Sequence, residues 1–123
     1  MPSGDGAGYR YVDAAEVEAQ WGVFRKMRVA LDVTGFGINQ VEFPPGAEGR
    51  THSEDASGQQ EVYVVLAGSG TMRIDDESVE LVPGRWLVVE PGCTRTPVAG
   101  PGGLTMIMVG GIPGEGFVAR ENL

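Results

Sequence analysis

Three polar residues in this sequence have the greatest chemical reach: His52, Glu61 and Arg95. His52 is the only histidine of the chain. It follows a Pro44-Pro45-Gly46 turn and precedes an extended apolar run that opens with a carboxylate, Glu61-Val62-Tyr63-Val64-Val65-Leu66. Arg95 stands just beyond a second turn, Glu90-Pro91-Gly92, after the run Arg85-Trp86-Leu87-Val88-Val89. An imidazole titrating near neutrality serves as a general base or a metal ligand. A guanidinium stays protonated, has no lone pair for a metal, and can fork onto a carboxylate. Arg95 therefore has two expected roles: anchoring an anionic guest, or pairing with Glu61, which neutralises two groups costly to bury alone.

For these groups to meet, the runs that carry them must be strands of one barrel. Twenty glycines and eight prolines spread between short apolar runs describe an all-β chain with many tight turns. The rhythm predicts strands over 28–33, 37–43, 49–52, 61–67, 70–74, 77–81, 86–89, 94–98 and 104–109. Period-2 alternation puts Glu61, Tyr63 and Val65 on one face. Tyr63, Trp86 and Met106 are the candidate lining of the cavity, with Met72 and Met108 as further apolar neighbours. Leu104 to Val109 is nearly all apolar, as in a strand covered on both faces. Asp75-Asp76 supplies a hairpin turn. Upstream, Asp13-Ala14-Ala15-Glu16 reads as a capping box opening a short helix over 14–20, with Trp21 and Phe24 as apolar anchors beside the core. The expected layout is a frayed tail and short helix over 1–26, a barrel over 27–111, and a loop or arm over 112–123.

Composition narrows the function. At 123 residues the chain is one domain. A net charge of −8 disfavours nucleic acid, whose phosphates repel such a surface. No apolar run of about 18 residues exists to span a membrane. The N-terminal residues lack a charged-then-apolar leader, and the single cysteine, Cys93, permits no internal disulfide, so the expected compartment is the cytoplasm. Cys93 is read as an inert thiol, although Arg95 is two residues away. Gly35-x-Gly37 and Gly68-x-Gly70 are read as turn glycines, and no phosphate loop or Gly-x-Ser-x-Gly elbow is present.

Two spaced motifs resemble those of the cupin superfamily, small double-stranded β-helix (jelly-roll) barrels with a ligand or metal site inside. Gly46 is followed after five residues by His52, and Glu61 after six by Gly68. Fifteen residues separate Gly68 from Gly84, which is followed at the family's distance by Gly92, with Pro91 one place late. Metal-holding cupins present three histidines and one glutamate. Only His52 and Glu61 match those four; Glu54 and Arg95 replace two histidines, and Ala99 the following asparagine. The resemblance thus implies an all-β jelly-roll barrel with a short N-terminal helix and a degenerate metal-binding motif.

Several readings of function follow. The leading one is binding of a small, anionic organic molecule anchored by Arg95, with metal-independent acid–base chemistry of isomerase or lyase type on His52 and Glu61. An alternative is a metal-dependent cupin oxygenase with a weakly held Mn, Fe, Ni or Zn ion on His52, Glu54 and Glu61. A third is a non-catalytic sensing or structural barrel. The resemblance also implies a homodimer.

Overall fold

Alternating residues extend the chain wherever a turn does not stop it, so strands dominate. The computed structural model describes residues 4–118. Among them lie β1 (Gly4–Gly6), β2 (Tyr9–Tyr11), a 3-10 turn (Ala14–Glu16), β3 (Ala19–Gln20), β4 (Phe24–Arg25), α1 (Met27–Leu31), β5 (Gly37–Phe43), β6 (Gln60–Ile74), β7 (Glu77–Leu81), β8 (Trp86–Val89) and β9 (Arg95–Gly111). β1 and β2 form a separate hairpin; the other seven strands join in the order β3-β4-β5-β9-β6-β7, with β8 against β6. No described helix is long and apolar enough to cross a membrane.

The fold is an all-β jelly roll, and β6 with β9 is its frame. The two pair antiparallel over 60–68 and again over 70–74, with register shifts at Val65/Ala67 and Gly68/Gly70. Such irregularities bend a strand and raise its twist, so one pair of strands wraps around the interior. Register then sorts the side chains. Tyr63 and Val65 point inward with their partners Leu87, Met106 and Val41, while Val64, opposite Trp86, points outward. The core is Val41, Tyr63, Val65, Met72, Leu81, Val89, Ala99, Leu104 and Met106. Each large member contributes roughly 1.5–3 kcal/mol by leaving water.

Several expectations change. Residues 28–33 are not a strand: Met27-Arg28-Val29-Ala30-Leu31 is α1, ended by Asp32 in the left-handed region at φ 54°. Good helix formers outweigh the single β-branched Val29 there. The capping box at Asp13 and Glu16 is present, but its helix stops after one 3-10 turn because Val17 is already extended. β3 and β4, upstream of residue 27, belong to the same sheet as the barrel. The expected strand over 49–52 shrinks to two isolated bridges, Glu48 with Val98 and His52 with Arg95. Strands expected over 61–67 and 70–74 are one, as are those over 94–98 and 104–109. Residues 4–6 pair with 9–11 where a frayed tail is expected. Trp21 is 87% exposed, whereas Phe24 packs on the core. The expected C-terminal arm is exposed, non-regular chain over 112–118, and its remainder lies outside the described residues.

The motif glycines Gly46, Gly68 and Gly84 all have positive φ, at 73°, 78° and 85°. Gly68 is the most constrained, since a Cβ there would lie 2.0 Å from the Gly103 carbonyl oxygen. Gly84 faces open space. Denaturant unfolding should therefore show Gly68→Ala losing about 3 kcal/mol or more and Gly84→Ala about 1 kcal/mol. Equal losses would show that the close approach at the β6 bend is not limiting.

Candidate functional site

His52 is held by backbone, not by a strand of its own. Its N–H donates to the Arg95 carbonyl at 3.1 Å, and the Arg95 N–H returns a bond to the His52 carbonyl at 2.8 Å. The following loop is pinned to the β8–β9 turn by the Glu54 N–H on the Pro91 carbonyl, 2.9 Å. Glu61 enters from β6, on the inward face it shares with Tyr63. Three elements thus deliver an imidazole, two carboxylates and a guanidinium to one end of the barrel.

His52 Nε2 lies 3.1 Å from Glu54 Oε2 and 3.8 Å from Glu61 Oε1. Its other nitrogen, Nδ1, faces the Arg50 carbonyl at 3.4 Å. Ser57 Oγ donates to Glu54 Oε1 at 2.6 Å and so fixes that carboxylate. The Tyr63 hydroxyl donates to Glu61 Oε1 at 2.5 Å. One ligand atom each from His52, Glu54 and Glu61 lies within 4.8 Å of the others, and all three residues are half-buried.

Arg95 is fully buried. Nη2 donates to the Glu90 and Val89 carbonyls at 2.9 and 3.4 Å. Nη1 is 3.7 Å from Glu61 Oε1, close enough for charge pairing but too long for a hydrogen bond. Nε and Nη1 have no hydrogen-bond partner among the described residues. The expected Glu61–Arg95 pair therefore forms. The expected direct anchoring of a guest meets an obstacle, because Arg95 is sealed from solvent behind Glu61.

The lining also differs from expectation. Tyr63 borders the cluster. Met106 is sealed in the core, opposite Val65 and not beside Glu61. Trp86 faces outward and is 72% exposed, so it lines nothing inside; it pairs with Val64 and therefore shares that residue's outer face. The Cys93 thiol is pushed up by burial and by the neighbouring Asp75 carboxylate. Sequence reasoning missed Ser57, whose role depends on how the 53–60 loop folds back. The link from Tyr63 to Glu61 was legible as an i, i+2 pair on one strand face.

A profile described as Cupin domain matches residues 39–110. No curated protein matches the chain. Among solved structures, a cupin protein from Bacteroides fragilis is 24% identical with a TM-score of 0.77, covering 93% of this chain and 92% of that one. A predicted oxalate decarboxylase from Thermotoga maritima is 18% identical with a TM-score of 0.60, covering 72% and 78%. An RmlC-like cupin from Shewanella frigidimarina is 25% identical with a TM-score of 0.56, covering 68% and 72%.

Burial and the Glu61 carboxylate hold the Tyr63 phenol well above its ordinary range. A pKa raised on folding means that the folded state keeps a proton the unfolded chain has lost. This stabilisation is complete below about pH 10 and declines as the pH rises further. Unfolding measured between pH 9 and 11 should show stability falling with pH, and Tyr63→Phe should flatten that slope. An unchanged slope in the variant would assign the effect elsewhere.

Proposed function

The chain belongs to the cupin superfamily, and from that premise we propose that its barrel mouth holds a divalent cation on His52, Glu54 and Glu61 and offers it to a small organic anion. The orientation of His52 carries this reading. With Nδ1–H donating to the Arg50 carbonyl, Nε2 presents its lone pair to two carboxylates. Three electron-rich atoms so placed repel one another unless a cation stands among them. A metal-binding histidine commonly has this support, its second nitrogen donating to a backbone carbonyl.

The donors fit such an ion. Adjacent ligands about 2.1 Å from a metal lie roughly 3.0–3.5 Å apart. The His52–Glu54 separation of 3.1 Å is already in that range, and the 3.8 Å to Glu61 needs only a small closure. One imidazole and two carboxylates suit Mn²⁺ or Fe²⁺. Arg95 is the objection, since its charge opposes a metal. Glu61 lies against it, however, and Tyr63 and Arg95 both address Oε1, the oxygen 3.8 Å from His52 Nε2, so a cation would share that oxygen or take Oε2.

Two carboxylates and one guanidinium leave one net negative charge. A divalent ion converts this to one net positive charge, which an organic carboxylate would neutralise. Arg95 thus favours an anion through its field and not by contact. A bound ion would polarise an oxygen of the guest as a Lewis acid. The protein's own residues hold the donors: Ser57 aligns Glu54, Tyr63 aligns Glu61, and the paired backbone bonds with Arg95 hold His52.

A proton on Nε2 is the other cation that satisfies this geometry. It supports a second reading, metal-independent isomerase or lyase-like chemistry in which His52 donates a proton to the guest and Glu61 accepts one. Tag-free protein should bind close to one Mn²⁺ by calorimetry and elemental analysis. His52→Ala and Glu54→Gln should each weaken binding by about 100-fold or more. A wild-type protein that binds none of Mn²⁺, Fe²⁺, Ni²⁺ or Zn²⁺, or variants that bind like wild type, would defeat the metal reading. Proton transfer retained after chelation would establish the second.

A further inference from the structure

Beside Glu61 the barrel end opens into a surface groove of about 530 Å³. Two of its four lining glycines lie on adjacent strands. Gly110 of β9 stands between Gly37 of β5 and Glu61 of β6, in register with both. A Cβ on Gly110 would lie 2.5 Å from Gln59 Oε1 and 3.5 Å from Glu61 Cγ. Gln59 Oε1 fills the space that a side chain on Gly110 would take, and Glu61 adjoins the groove there. Asn39, inward-facing by its register with Met108, and Gln59 add side-chain amides to the lining. Phe36 and Ile112, 49% and 48% exposed, give it apolar surface.

Two charges stand on the groove. Arg28, brought there by α1, donates from Nη1 to the Val33 carbonyl at 3.2 Å, and the rest of its fork has no partner among the described residues. Glu115, from the segment after β9, is the opposing charge. We propose that this groove binds an elongated organic acid, its head at the Glu61 end, its body over Phe36 and Ile112 within reach of the Asn39 and Gln59 amides, and a terminal carboxylate on Arg28. Arg28 is then the residue that selects for the second carboxylate, because its planar fork matches two oxygens and only Nη1 is engaged, by the Val33 carbonyl. Glu115 limits that selectivity by repulsion. The proposal rests on the preceding reading only for the head of the guest.

Linear dicarboxylates from succinate to suberate, each compared with the monocarboxylate of equal length, are the probes. Calorimetry on Mn²⁺-treated and chelator-treated protein reads the preference for the second carboxylate. At one or more chain lengths the dicarboxylate should bind about tenfold tighter. Arg28→Met should abolish that preference while leaving monocarboxylate and Mn²⁺ affinity unchanged, and Glu115→Gln should increase it. Equal affinity of the paired acids at every length, a preference that survives Arg28→Met, or no binding of any of these acids overturns the proposal. An Arg28-dependent preference in protein that takes up no Mn²⁺ would keep the groove and remove the metal. Mn²⁺ uptake without the preference would do the reverse.

Discussion

A guanidinium buried in a β-barrel must be answered by charge and by hydrogen bonds, or the barrel does not close over it. Arg95 is fully buried, and its guanidinium is answered from two directions, the Glu90 and Val89 carbonyls and the Glu61 carboxylate, while its backbone exchanges two bonds with His52. Those partners belong to the β8–β9 turn, to β6 and to the loop before β6. One residue therefore ties together the segments that form the candidate site. The tie is incomplete, because Nη1 stops 3.7 Å from Glu61 and Nε has no partner among the described residues.

The strands can meet this demand only because β6 and β9 bend together. Gly68 sits at the bend with φ 78° and no room for a Cβ, so the wrap of the barrel and the packing of β6 on β9 depend on one missing methyl group. Beyond the bend the same strands continue, and Arg95 pairs with Ile74 at the far end of β6. Glu61, at the near end of β6, then meets Arg95 again through space. A long strand that turns back on itself places its two ends at one site without a dedicated connection.

Much of this was legible in the sequence. Period-2 alternation fixed the shared face of Glu61, Tyr63 and Val65, and glycine spacing located His52, Glu61 and Arg95 at one barrel end. What escaped was parity, helix formation and access. Trp86 lies one residue from the inward Leu87, and in a strand a shift of one moves a side chain to the opposite face. The 27–31 segment is a short apolar run that periodicity alone cannot divide between strand and helix. Arg95 is named correctly by spacing, yet its isolation from solvent depends on two backbone carbonyls that no sequence pattern announces. The groove was missed for a related reason: its lining includes Gly37 and Gly110, which offer no side chain to read.

The replacement of imidazoles by Glu54 and Arg95 has a consistent electrostatic sense. Exchanging two neutral ligands for one anion and one cation leaves the formal charge of the site unchanged while separating it in space. The negative member, Glu54, stands at the half-open rim beside His52, and the positive member, Arg95, is buried behind Glu61. A cation approaching from solvent meets the carboxylates first, and Glu61 stands between it and the guanidinium. The ligand set is harder than three imidazoles would be, because oxygen has replaced nitrogen. Under the proposed metal reading the arrangement favours an ion that exchanges readily and retains open positions over one held permanently, which suits the proposed anionic guest.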